Sequence, residues 1–277
     1  MDLSRVKTLL IIAFLGLNLF LGYKLWFGRL SLGQGSVLGN GQVEEARQLL
    51  SEKGFELQAA IPRQIPQLSL LIVSRRQKEP AYWLQLFFAG EEYTAENAEG
   101  GRLYLADGAS LLIRKNGQVI YKKEPDDGDA EAATVESYLQ EQGLWNDGLK
   151  LDLLYPVSED VVCHRYVGSF QGFPLFSCAT EVFLQDKQVV EVRINPLVPL
   201  GFSENKVTAI SALVAVKIFV AAGHNFSERK IADISLGYYS PSYDASSWEA
   251  APVWRIAAAD GRAFYINAFS GDIESYE

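Results

Sequence analysis

Few side chains in this chain are of a type and spacing that could do chemistry. His164 follows Cys163 directly, and on a strand neighbouring side chains point to opposite faces, so the two do not form one site. His224 follows the helix-ending residue type Gly223 and has no second ligand at metal spacing, so it reads as a cation near a helix C-terminus. The paired acids Glu44-Glu45, Glu91-Glu92 and Asp126-Asp127 fall on expected helix or loop surfaces. Charge runs there are solvated faces, and none has the context of a hydrolytic pair. G-x-S-x-G, H-E-x-x-H and the Walker motif are absent. Gly33-x-Gly35-x-x-x-Gly39 has the wrong final spacing for a phosphate loop and follows an apolar run instead of a strand. The residues point to no catalytic set, no cofactor and no metal centre; the expectation is a protein that is not an enzyme.

Cys163 and Cys178 are the whole thiol inventory, and without a C-x-x-C a zinc ribbon or thioredoxin motif is dismissed. A hairpin centred between Phe170 and Gln171 would place Cys163 and Cys178 opposite each other. A disulfide between them and two buried free thiols both stay open, because sequence sets neither register nor redox state.

The elements that would position these residues follow from periodicity. Val43–Lys53 reads as a short helix with Val43, Ala46, Leu49 and Leu50 on one face and Gly54 as its stop. Leu68–Ser74, Tyr82–Phe88 and Arg102–Ala106 read as strands, and Leu111–Lys115 and Val119–Lys123 as a hairpin about Asn116-Gly117. The charged segment Glu124–Asp129 reads as a boundary. A second helix is expected over Ala130–Gln142. Strands follow at Val161–Phe170, Pro174–Leu184 and Gln188–Asn195. The third helix, Asn205–Ala222, carries Ser203 as an N-cap and Gly223 as its end. At about 24 Å of apolar core with Lys217 in it, this is a buried helix and not a membrane span. Ile231–Tyr239, Val253–Ala258 and Ala263–Ala268 close the chain as strands. The turn Asp260-Gly261 would set Trp254 opposite Asn267 and Ile256 opposite Tyr265. The recurring order, helix then antiparallel strands, is α+β architecture: two units of helix packed on antiparallel sheet, over residues 41–125 and 130–277.

Ahead of them lies Thr8–Phe27, TLLIIAFLGLNLFLGYKLWF. A helix over Val6–Phe27 would rise about 33 Å, enough to cross a hydrocarbon core of about 30 Å. Arg5 and Lys7 precede it, but no small-residue cleavage site follows. Tyr23 and Trp26 suit a membrane interface, and Lys24 and Arg29 can snorkel. Residues 1–29 are thus expected to be a cytoplasmic tip and uncleaved anchor, and the Gly/Ser-rich residues 30–40 a linker. The flanking cations balance, and N-terminus-inside is the default for an anchor followed by a long domain. Asn18, alone among amides in the apolar core, shares a helix face with Ile11, Leu15 and Gly22. Against a partner helix it can hydrogen-bond; otherwise it bonds back to its own helix.

Composition sharpens the exclusions. Residues 1–30 carry a net charge of +3, which leaves −12 on the remainder of a chain whose total is −9. An acidic body without a Lys/Arg cluster excludes nucleic acid as a partner.

The opening MDLSRVKTLLIIAFLGLNLFLGYKLW resembles the N-terminus of the YycI family of membrane-anchored regulators. ISLGYY at Ile234–Tyr239, PVWRI at Pro252–Ile256 and YINAFSGDI at Tyr265–Ile273 agree in order. The last run is also similar to a PepSY-type unit, and the region of Cys163 and Cys178 matches no motif. The resemblance implies a single-pass protein at the cell membrane whose extracytoplasmic part pairs with a YycH-like protein. Together the two would restrain the sensor histidine kinase YycG (WalK), through transmembrane helix contacts, and so tune cell-wall metabolism. A PepSY-like inhibitor or chaperone of an extracytoplasmic protease is the alternative. A lipoprotein-like ligand sensor is a third, though the lipobox cysteine it needs is absent.

Overall fold

The computed structural model describes Phe14 and residues 36–75, 77–125, 134–223, 229–241, 243 and 245–276. Ile11, Leu15, Asn18 and Gly22 of the expected anchor lie outside the described residues, as does His224. Among the described residues no helix is long and apolar enough to cross a membrane.

The chain runs β1 (Ser36–Val37), α1 (Asn40–Glu52), β2 (Glu56–Leu57), β3 (Gln64–Ile65), β4 (Gln67–Leu68), β5 (Leu71–Arg75) and α2 (Pro80–Phe88). A meander of β6 (Thr94–Ala98), β7 (Gly101–Ala106), β8 (Ala109–Arg114) and β9 (Val119–Lys123) follows, then α3 (Val135–Glu141). Next come β10 (Lys150–Pro156), β11 (Val161–Phe170), β12 (Phe173–Gln185), β13 (Gln188–Ile194), β14 (Leu197–Phe202) and β15 (Val207–Thr208). The chain closes with α4 (Ala212–Ala222), β16 (Lys230–Tyr239), β17 (Ser247–Ala258), β18 (Ala263–Asn267) and β19 (Ile273–Tyr276). Among the described residues this is a mixed α+β protein with few helices, in which the strand pairs are antiparallel apart from β12–β16 and β2–β16.

Two cores lie on this branched sheet. In one, α1 and α4 cover β16, β17 and β18. Val43, Ala46 and Leu50 meet Leu213, Val216 and Phe219 over Trp254, Ile256, Phe264 and Ile266. In the other, α2 and α3 cover the meander and β11–β13, with Trp83, Phe88, Leu139, Tyr121, Tyr166, Val182 and Val192 buried together. The elements do not segregate by sequence. β5 pairs with β17 and β14, and α1 packs with α4, while β9 pairs with β13 across the charged segment at residues 124–129.

Several expectations are corrected. Tyr82–Phe88 is the helix α2 and not a strand: Pro80 sits in its first turn, Ala89 ends it in the left-handed region, and Trp83 stacks one turn along on Phe87. An apolar run without polar alternation has no period to decide between the two states. The helix expected from Asn205 begins at Ala212. Ser211, not Ser203, caps it through Oγ accepting from Val214 N–H at 3.3 Å, and Val207–Thr208 pairs with β4 instead.

The hairpin registers also move. Asn116-Gly117 and Asp260-Gly261 each sit in a three-residue loop in which only the glycine has positive φ, 82° and 86°. The added loop residue sets Trp254 opposite Ile266 and Ile256 opposite Phe264, one position from the register expected. Because side chains alternate, that places all four on the face beneath α4. Trp254 then donates its indole N–H to Ile210 O at 2.9 Å. The β11–β12 hairpin turns at Gln171-Gly172 and is bulged after Val167, which puts Phe183 opposite Cys163.

The two cores meet where β12 runs beside β16. A Cβ on Gly237 would lie 2.6 Å from Pro174 O and 2.7 Å from the Phe176 ring, so this position demands glycine for close approach. Gly237→Ala is expected to cost about 1–3 kcal/mol, seen as a lower urea midpoint at constant slope. An unchanged midpoint would mean that the two strands are not packed this closely.

Candidate functional site

The strand β10 is a sheet edge: among the described residues it pairs only with β11. Its sequence, KLDLLYP, would expose one set of alternate residues and bury the other if the ladder were regular. It is not regular. Leu151 faces Tyr166 and Leu153 faces Arg165, so the register shifts at Asp152. Such a bulge re-aims the side chain of the extra residue.

Asp152 is aimed at Arg255 of β17, which reaches it from within the protein. Arg255 donates from both terminal nitrogens to the Asp152 carboxylate, with Nη2 at 2.7 Å from Oδ1, and donates from Nη2 to Asp233 Oδ2 at 2.8 Å. Its guanidinium also lies 4.2 Å over the Phe176 ring. Arg255 is 2% exposed and the Asp152 side chain 7%, so both charges are withdrawn from water. Burial alone would pull the arginine's pKa down; the hydrogen bonds and charges of Asp152 and Asp233 outweigh it and hold the pKa above its ordinary value. Arg165 extends the network, with Nε at 3.5 Å from Asp152 Oδ2, Nη1 at 2.6 Å from Glu181 and Nη2 donating to Phe176 O at 2.9 Å. Charges alternate from β16 and β17 through β10 and β11 to β12.

The consequence for the edge is geometric. With Asp152 turned inward, Leu153 packs against the cluster of Phe176, Val253 and Tyr265, and the Tyr155 ring lies against the turn at Gly261. The outward positions are Leu151, 52% exposed, and Leu154, 56% exposed; Val157, just beyond the strand, is 53% exposed. An edge with free backbone donors and acceptors and three protruding aliphatic side chains is suited to strand addition by another chain. Edges not meant for pairing carry charge or a bulge that twists them away; here the bulge serves Arg255 and leaves the leucines out.

Among the described residues, those singled out from sequence are not brought together. Cys163 is fully buried beside Tyr155 on β10, and burial pushes its thiol up to about 11. Cys178 is half-buried, donates to Leu197 O at 3.3 Å, and is also pushed up by burial. Both are free thiols. His164 points to the face opposite Cys163, near Glu136, with its pKa lowered by burial. No three His, Cys, Asp or Glu residues lie close enough to hold a metal among the described residues. Asp152, Asp233, Arg165 and Arg255 were not singled out from sequence. One signal was legible: Arg255 interrupts the otherwise apolar PVWRIAAA, where an ionisable residue must find a buried partner.

A family model described as YycI protein matches residues 40–269. A search of curated proteins returned no match. Among solved structures, the chain is similar to an uncharacterized protein from Eubacterium rectale, at 10% identity and a TM-score of 0.45, covering 80% of this chain and 91% of that one. It is also similar to the C-terminal domain of YpeB from Bacillus megaterium, at 11% identity and a TM-score of 0.36, covering 73% of this chain and 98% of that one.

Removing one partner of a buried pair strands the other, so Arg255→Met is expected to destabilise by about 3–5 kcal/mol. Adding Asp152→Leu should recover much of that loss, by thermal or urea midpoint. Equal destabilisation in the single and double variants would show that the pair does not act as a unit. For the thiols, alkylation of the native protein at pH 8 should leave Cys163 unmodified, and mass after denaturation without reductant should show two alkyl additions. No addition would mean a bridge.

Proposed function

The chain belongs to the YycI family, and from that membership we propose a non-enzymatic, single-pass membrane regulator that acts with a YycH-like partner. The family ties the chain to the YycG/WalK regulatory system. In this reading the pair restrains the YycG/WalK-like sensor histidine kinase and so tunes cell-wall metabolism. The N-terminus is cytoplasmic, the apolar Thr8–Phe27 segment spans the membrane, and the α+β body lies outside it.

The observation that carries the reading is the β10 edge. Its exposed Leu151, Leu154 and Val157 beside unpaired backbone support a body that works by contact with another protein. The partner would add a strand to β10 and cover the leucines. Transmembrane contacts through the face of Ile11, Leu15, Asn18 and Gly22 would carry the effect to the kinase.

Fully burying a leucine is worth about 1.5–3 kcal/mol, so Leu151→Asp with Leu154→Asp should weaken co-purification of a YycH-like partner from membranes by at least about tenfold. Cellular abundance of the chain should be unchanged. Asn18→Leu should leave that association in place and alter kinase output, measured as phosphorylated response regulator. Full partner binding by the double aspartate variant removes β10 as the interface. Normal output with a wholly foreign anchor removes helix contact as the route.

A further inference from the structure

A cavity of about 490 Å³ opens where the two cores adjoin, on the far side of β12 from Glu181 and away from the β10 edge. It lies between the start of α2, the loop that joins α3 to β10, the middle of β12 and the start of β14. Its size is that of a small-molecule site.

Three of its features are those of a binding site, not of a packing fault. First, aromatic side chains from separate elements line it: Tyr82 and Trp83 from α2, and Trp145 from the loop. Trp83 is held by stacking on Phe87 and Trp145 by an edge contact with Tyr166, so both rings have fixed orientations. Second, Thr180 is only 7% exposed and lines the cavity, which places a polar group on an otherwise largely apolar wall. A hydroxyl that faces a cavity can exchange hydrogen bonds with a ligand atom there. Third, the Lys78 ammonium lies at the cavity, 3.7 Å over the Tyr82 ring. No carboxylate of the described residues neutralises it. In a body carrying a net −12, a cation without a carboxylate partner at the lip of an aromatic cavity favours an anion.

We infer that this cavity binds a small planar aromatic carboxylate, its ring against the tryptophan walls, its carboxylate on Lys78, and a polar atom on the Thr180 hydroxyl. Flat rings are favoured over flexible chains because offset and edge-on contacts with Trp83 and Trp145 reward a π-face. The inference does not depend on the β10 edge or on the anchor.

Cys178 supplies an independent readout, since its half-buried thiol lines the same cavity. The test uses the full chain in lipid nanodiscs, with empty nanodiscs as the blank, and three probes: 1-naphthoate, 1-naphthalenemethanol and decanoate. Calorimetry should give one site for 1-naphthoate, with the uncharged alcohol at least about tenfold weaker and decanoate weaker still. Saturating 1-naphthoate should slow Cys178 alkylation several-fold. Lys78 is exposed, so Lys78→Gln should leave the thermal midpoint unchanged while erasing the preference for naphthoate over the alcohol. Thr180→Val should weaken both ring probes alike. Absence of binding at millimolar 1-naphthoate would overturn the site. Binding without Cys178 protection, or indifferent to Lys78→Gln, would place it elsewhere, and tighter binding of decanoate would overturn the aromatic class.

Discussion

The buried guanidinium of Arg255 is the constraint around which the middle of this protein is arranged. An arginine withdrawn from water needs opposite charge at contact distance, since the desolvation penalty is several kcal/mol per ion. Asp233 on the neighbouring strand supplies part, but the bidentate partner, Asp152, comes from 103 positions away in the chain. To deliver it, β10 bulges at Asp152 and lies with Leu153 and Tyr155 against the sheet. Arg165 and Glu181 then compensate the charge that remains. A network of this kind adds little net stability over an apolar core of the same shape. What it does here is fix the position of an edge strand relative to β17, with which that strand shares no ladder.

That position has a functional side. A sheet edge carrying leucines is a liability in a free protein and an asset in one that works by association. The same bulge that satisfies Arg255 leaves Leu151 and Leu154 facing out. Buried electrostatics and the exposed apolar strip are therefore two results of one backbone irregularity. Under the proposed function, a rigidly held edge suits a regulator that acts by binding.

The two cores are joined by backbone as well as by charge. β12 belongs to the meander side through β13 and touches β16 at Leu175 and Tyr238, where Gly237 permits the strands to close on each other. Beside that junction the aromatic cavity opens between α2, β12 and β14.

Much of the fold was legible in the residues. α1 declares itself through Val43, Ala46 and Leu50, β11 to β13 through strand-forming runs, and α4 through its apolar length and Gly223. The α+β class and the membership of the YycI family were both within reach of pattern and motif. What misled were positions where local rules allow two answers: the unpatterned run at Tyr82–Phe88, and the Xaa-Gly turns, where one extra loop residue reverses every side chain's face. Sequence by itself determined which segments are apolar and, at its glycines, where the chain turns. Only the tertiary structure decided that Asp152 pairs with Arg255, that β10 is the edge, and that Trp83, Trp145 and Thr180 share a cavity. The physical reason is range. Periodicity and turn chemistry act over a few residues, whereas ion pairs, sheet edges and cavities are set by contacts between elements a hundred residues apart, for which the chain carries no local signal.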